Sequence, residues 1–369
     1  MSGRPTPERL RPDNENGRGL FASGQVGGTP WLLAAGAKSG GNLDYVYMTA
    51  SSGPTLTFSY VDLQKLLGGA TKGTSAMHVF NDRVYVGFPD TGGSRPYMVA
   101  LTKTPTPPGL DAVKDSDAID LEPDKLAGIQ TKDTASIDAI TDFAGKLYFA
   151  NAGAWFRSTN GAPGSAKDNP THWTPTAPAL AEYTALASHL STKTSELEPK
   201  DRAVVGFATL GGRLYAARNT TLGPQLWSCT PAKAGSSTDC DPQDWALIAA
   251  NASGDKRLSQ FNNPSNTSLS MLVVAQGSLF VGYDNATQGL VVFRSSSSTP
   301  TVIADFLGAD GCSAGASPSA CEGVGKNGFG SSDRTRILDA KSIPFGTSQT
   351  VYVVAGDGIG PLDVFRIVP

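Results

Sequence analysis

One short phrase recurs six times along this chain: an apolar run, a tight turn, then an aromatic residue set in the next apolar run. The aromatic is Trp31 (VGGTPWLLAA), Tyr85 (FNDRVYVGF), Tyr148 (FAGKLYFAN), Tyr215 (LGGRLYAAR), Phe280 (AQGSLFVGY) and Tyr352 (TSQTVYVVA). Successive anchors lie 54, 63, 67, 65 and 72 residues apart. Runs this short, joined by two-residue turns such as Asn81-Asp82, Ala144-Gly145, Gly211-Gly212 and Gln276-Gly277, read as β-hairpins. A lone hairpin cannot bury its own apolar face, so units repeated at this period pack against one another.

The fourth unit is the most legible. Ala203–Phe207, Leu214–Ala217, Gln225–Ser228 and Trp245–Ile248 form four short strands in one meander, which is one blade of a β-propeller. Six such units fill the chain, so the expected fold is all-β, a six-bladed β-propeller with enlarged inter-blade loops. Residues 19–369 form that single domain, and 1–18 read as a tail and candidate closing strand. The blades fall near residues 20–61, 76–121, 137–173, 204–248, 271–306 and 337–367. The last one ends on its third strand, and the tail could supply its missing outer strand. A second aromatic anchor marks each third strand: Tyr45 and Tyr47, Tyr97, Trp155-Phe156, Trp227, Phe293 and Phe365. Their structural role is to fill the wedge between neighbouring sheets; ligand stacking is the functional alternative.

Long inserts near 105–135, 178–202, 249–269 and 307–336 separate the blades, and Ala179–Leu190 has the apolar spacing of a short helix. Leu63–Leu67 reads as one helical turn. In a propeller the blade-to-blade links and the second-to-third strand loops share one face. The elaborated loops therefore gather there, where function usually sits.

Charge excludes one class of partner. Thirty Lys and Arg against 33 Asp and Glu leave a net −3, which does not suit nucleic acid, whose affinity comes largely from phosphate neutralisation. No apolar run is long enough for a membrane span. Cys229 with Cys240 and Cys312 with Cys321 form two local pairs without nearby histidines. Two small disulfide loops in an oxidising compartment are the expectation, with free thiols as the alternative and zinc disfavoured. No apolar signal segment follows Met1, so an extracellular or cell-surface location implies a removed leader or a longer parent chain.

Phe156-Arg157-Ser158-Thr159-Asn160-Gly161, followed by Trp173, resembles the Asp-box hairpin of sialidase-like and other extracellular propellers, with Asn160 in place of the Asp. Leu226-Trp227-Ser228 through Trp245 echoes that layout with a disulfide loop in place of the turn. Gly211-Gly212-Arg213-Leu214-Tyr215 resembles the turn of kelch-type repeats. The resemblance covers about two of six blades and implies a structural motif lying away from any active site.

The chemistry-bearing residues are sparse. None of the seven glutamates lies in an inner strand, where a sialidase-like base would be held. Arg157, Arg294 and Arg366 recur just after the third-strand aromatic, either as an anion clamp or as exposed strand arginines. His78 sits in an inner strand and can face the channel. Asp111–Asp124, holding Asp115, Asp117 and Asp120, is an acidic loop where calcium is possible, but without EF-hand spacing; no other cofactor is expected. Sequons occur at Asn219, Asn251, Asn266 and Asn285. The expected function is a secreted or cell-surface binding and adhesion module, catalytically silent, recognising a protein or glycan through its looped face. Ligand contacts fall at second-strand ends: Asn151, Arg218, Asn219, Tyr283, Asp284 and Asp357. The protein would act as a monomer or as part of a larger surface assembly. The alternatives are an extracellular polysaccharide hydrolase or lyase using loop carboxylates, and a purely architectural module.

Overall fold

The computed structural model describes residues 20–36, 45–50, 58–67, 73–88, 97–104, 109–112, 119–120, 137–151, 154–163, 173–178, 204–220, 223–231, 238–248, 259–306, 324, 327–345, 348–357, 359–360 and 362–367. They form six antiparallel sheets in chain order. Sheet 1 holds β1 (Phe21–Val26), β2 (Thr29–Gly36), β3 (Tyr45–Thr49) and β4 (Ser59–Asp62), followed by the short helix α1 (Leu63–Leu67). Sheet 2 holds β5 (Ala76–Phe80), β6 (Arg83–Phe88), β7 (Tyr97–Thr104) and β8 (Gly109–Ala112), with β9 (Ile119–Asp120) also on β7. Sheet 3 holds β10 (Ile137–Phe143), β11 (Lys146–Asn151), β12 (Ala154–Ser158) and β13 (Trp173–Pro175). Sheet 4 holds β14 (Val204–Leu210), β15 (Arg213–Thr220), β16 (Gly223–Cys229) and β17 (Trp245–Leu247).

Sheet 5 holds β18 (Ser268–Ala275), β19 (Ser278–Asp284) and β20 (Val291–Arg294), with a single bridge from Ser295 to Phe306 where a fourth strand would pair. After a left-handed turn at Asn327–Gly330, sheet 6 holds β21 (Arg336–Phe345), β22 (Ser348–Gly356) and β23 (Asp363–Ile367). The inner strands β1, β5, β10, β14, β18 and β21 pack each beside the next. This is the six-bladed β-propeller. The tail at 1–18, the Ala179–Leu190 helix and the second cysteine pair lie outside the described residues, whereas the Leu63–Leu67 turn is α1.

The tight turns explain why Gly, Asn and Asp sit where they do. Asn81-Asp82, Ala144-Gly145, Gly211-Gly212 and Gln276-Gly277 all have positive φ at both residues, the type I′ geometry that matches the twist of the flanking strands. Each sheet buries one face against the next. Gly87 and Gly282 receive the side chains of Ile137 and Ile337 so closely that a Cβ there would lie 2.5 Å and 2.4 Å from them.

Two repeated devices join the blades. The first is at the tight-turn end. The Tyr148 hydroxyl accepts from the Cys240 N–H at 3.0 Å, and the Tyr85 hydroxyl donates to the Pro163 carbonyl at 3.2 Å. In both cases an anchor tyrosine of one blade holds the third-to-fourth strand turn of the next. Phe280 stands at the same place facing sheet 6, which has no fourth strand among the described residues. The second device is at the opposite end. Sheets 3 to 6 begin with a β-bulge after Ile137, Val204, Leu269 and Ile337. Three of these N–H groups are taken by side chains of the preceding blade: Val204 by Asp138 (3.1 Å), Leu269 by Asn219 (2.8 Å) and Ile337 by Asp284 (2.9 Å).

The outer turns also repeat. Ser158 Oγ accepts from the Leu147 N–H and donates to the Asn160 carbonyl, while Asn160 Oδ1 accepts from the Ala162 N–H. In sheet 5, Ser295 Oγ accepts from the Leu279 N–H and donates to the Ser297 carbonyl, and Ser297 Oγ accepts from the Thr299 N–H. Sheet 4 puts Cys229 at the corresponding register, opposite Leu214, and the Cys229–Cys240 disulfide closes its turn instead.

Candidate functional site

The nominated contacts all belong to the looped ends of sheets 3 to 6, but their side chains differ in what they do there. Arg218 and Tyr283 are fully buried. The Arg218 guanidinium lies between the rings of Trp155 and Trp227, 5.4 Å and 5.2 Å from their centroids, and its Nε donates to Gln225 Oε1 at 2.7 Å. Burial pulls its pKa down to about 9. The Tyr283 hydroxyl donates to the Ser259 carbonyl at 2.6 Å, and burial raises its pKa well above that of a free phenol. Neither side chain is open to a ligand on the outer surface, because each has been folded into an inter-sheet core.

Asn219 holds Leu269 by both backbone groups, accepting from its N–H and donating to its carbonyl, each at 2.8 Å. Asp284 accepts from Ser270 Oγ (2.6 Å), Ser268 Oγ (3.1 Å) and the Ile337 N–H, with Arg336 Nε at 4.0 Å. Asp357 is exposed. Its Oδ1 accepts from the Gly360 and Ile359 N–H groups, at 2.5 Å and 2.8 Å, which hold its carboxyl below the usual carboxylate range. Asn151 ends β11 on the same face.

Beside these ends the chain that leads into sheet 5 is tied down by a polar network. Asn263 Nδ2 donates to Gln288 Oε1, Asn285 Nδ2 to Asn266 Oδ1, and Asn266 Nδ2 to the Gln260 carbonyl. Asn263, Asn266 and Asn285 are buried. The sequons at Asn266 and Asn285 are therefore core asparagines, and that at Asn219 is a latch; Asn251 lies outside the described residues.

The other end of the channel has a shaped space. A cavity of 480 Å³ is walled by β10, β14, β18 and β21, with Asp142, Phe207, Thr209, Leu272, Lys341 and Ser342 among its lining. His78 does reach the channel: its Nε2 lies 2.8 Å from Asp142 Oδ1, joining β5 to β10. Sequence reasoning had no signal for this pair, whose members are 64 residues apart. Of the recurring arginines, Arg157 pairs with Asp239 (3.0 Å) and Asp241 (3.1 Å) on either side of Cys240, and Arg294 Nε donates to Ser278 Oγ. Arg157 is thus a clamp on the protein's own disulfide loop. Among the described residues no three His, Cys, Asp or Glu side chains come together. All seven glutamates lie outside the described residues, as do Asp115, Asp117 and Asp124 of the acidic loop and the side chains of Asp111 and Asp120.

Fold and channel together define a β-propeller with latched blades. No protein-family model matches the sequence, and no curated protein matches it. Among solved structures the chain is similar to a Trypanosoma rangeli sialidase in complex with sialic acid (11% identity, TM-score 0.45, 95% of this chain and 54% of that one). It is also similar to a PQQ-bound aldose sugar dehydrogenase from Streptomyces coelicolor (13%, 0.44, 96% and 94%). A third likeness is to a Bacteroides uniformis protein described as a candidate 6-phosphogluconolactonase (12%, 0.46, 94% and 84%). The chain spans about half the length of the trypanosomal sialidases it matches. Among the described residues no helix is long and apolar enough to cross a membrane.

Proposed function

We propose that this chain is a recognition module, exported or displayed at a cell surface, that binds a protein or a glycan through the end where its sheet-to-sheet links gather. The observation that carries the reading is the set of latches at that end. Asp138, Asn219 and Asp284 each fix the first or second residue of the next blade's inner strand, so the loops spring from a frame with little freedom. A rigid frame bearing variable loops loses less entropy on binding than a mobile one. The Cys229–Cys240 disulfide supports an oxidising compartment. On this reading Asn151 and Asp357 touch the ligand, while Arg218, Asn219, Tyr283 and Asp284 hold the loops that do. The serine-centred turns of sheets 3 and 5 support the Asp-box-like character of the outer hairpins. The test is a glycan array and a pull-down from cell-surface extracts, repeated with Asp357→Ala. Captured ligand that Asp357→Ala loses favours the reading. Depolymerisation of an offered polysaccharide, with release of new reducing or unsaturated ends, would replace it with a hydrolase or lyase.

A further inference from the structure

The channel cavity lies in the tight-turn half of the ring, away from the looped ends, and its charges are few and opposite. Asp142 and Lys341 stand on the first and last of the four sheets that wall it; Phe207 and Leu272 come from the two sheets between. Asp142 is half exposed, and His78 occupies one of its oxygens. The cavity's 480 Å³ is within the roughly 300–1,000 Å³ of small-molecule sites.

We infer that this cavity binds a small zwitterion, a free α-amino acid or an unblocked dipeptide with an apolar side chain. The ligand's ammonium group meets Asp142, its carboxylate meets Lys341, and its side chain lies against Phe207 and Leu272. A ligand with one charge would engage only one of the two charged walls. A zwitterion matches both, through charge-assisted hydrogen bonds. The inference does not depend on the looped face, and the two stand or fall separately.

The test is titration of the intact chain, followed by calorimetry and ligand-observed NMR, with leucine, leucyl-leucine, N-acetyl-leucinamide and glucose. Saturable binding of leucine or leucyl-leucine is expected, at least tenfold tighter than N-acetyl-leucinamide. Lys341→Met and Asp142→Asn should each weaken it at least tenfold. If Asp142→Asn fails to fold for want of its His78 partner, Lys341→Met decides. Equal binding of the blocked leucine, binding of glucose alone, no binding of either zwitterion, or binding indifferent to Lys341→Met would each overturn the assignment.

Discussion

The hydroxyl of Tyr148 and the backbone N–H of Cys240 meet at 3.0 Å across the boundary between the third and fourth blades. The same position in the second blade, Tyr85, reaches the Pro163 carbonyl of the third. In the fourth, the Tyr215 hydroxyl is buried with no partner among the described residues. Anchor aromatics that look equivalent in sequence therefore differ in what their hydroxyls contribute.

Removing those hydroxyls should separate them. Tyr148→Phe leaves a buried N–H unmatched and should cost about 1–3 kcal/mol, and Tyr85→Phe about 1 kcal/mol. Tyr215→Phe should change stability by less than about 0.5 kcal/mol, or raise it, because only an unpaired group is lost. Denaturant unfolding of the three variants checks the order; equal losses would mean the hydroxyl contacts are not the cause.

The disulfide does in sheet 4 what a serine does in sheets 3 and 5, and it also docks on its neighbour. Tyr148, Thr176 and Arg157 all grip the segment around Cys240. Its two cysteines are 11 residues apart, so replacing both by serine should cost about 2–3 kcal/mol from loop closure alone. Arg157→Ala should lower stability further in the oxidised protein than in the double-serine variant, because the clamp needs an ordered loop. A double-mutant cycle on thermal unfolding reads this coupling.

Much of this architecture was written locally, and the rest was not. The blade repeat was legible because a type I′ turn requires positive φ at two residues, which restricts its sequence to pairs such as Gly211-Gly212. The serine turn of sheet 3 was legible through Asn160-Gly161; its copy at Ser295 hid in a run of serines, although Phe-Arg-Ser precedes both. The role of Asn219 was hidden because its partner, the Leu269 backbone, lies 50 residues away and any residue type supplies it. Arg218 reads as a ligand contact for the same reason: nothing local announces that Trp155, from another blade, covers its face.

Ala144 occupies a turn position with φ of 50°, where a Cβ is strained. Its neighbours in the other blades at this place are Asn81, Gly211 and Gln276. Ala144→Gly should stabilise the protein by about 0.5–1 kcal/mol, the relief of left-handed strain exceeding the entropy glycine adds to the unfolded chain. A rise in the unfolding midpoint checks it.

Alkali should find the buried phenols. Burial raises the pKa of Tyr85, Tyr215 and Tyr283 and lifts Tyr148 to about 12. An unfolded tyrosine ionises near pH 10, so above that the unfolded chain releases protons that the folded chain keeps. The stabilisation from these protonated groups is complete below pH 10 and is lost as pH climbs through about 12, amounting to about 2–3 kcal/mol for Tyr148. Guanidinium midpoints from pH 9 to 12 should fall accordingly, with late-rising tyrosinate absorbance in the folded protein.

The nominated contact residues can be sorted by stability alone, before any ligand is known. Asn219→Ala removes both bonds to Leu269 and leaves a part-buried N–H and carbonyl unmatched, so it should cost about 1–3 kcal/mol. Asp284→Ala strips the Ile337 N–H and two serine hydroxyls and should cost at least as much. Asp357→Ala touches an exposed turn whose N–H groups can turn to water, and should leave the unfolding midpoint nearly unchanged. A ligand contact is normally dispensable for folding, whereas a latch is not, so calorimetric unfolding of the three variants should divide the looped face into frame and contact surface. A stable Asn219→Ala protein would dissolve that division and return Asn219 to the binding surface.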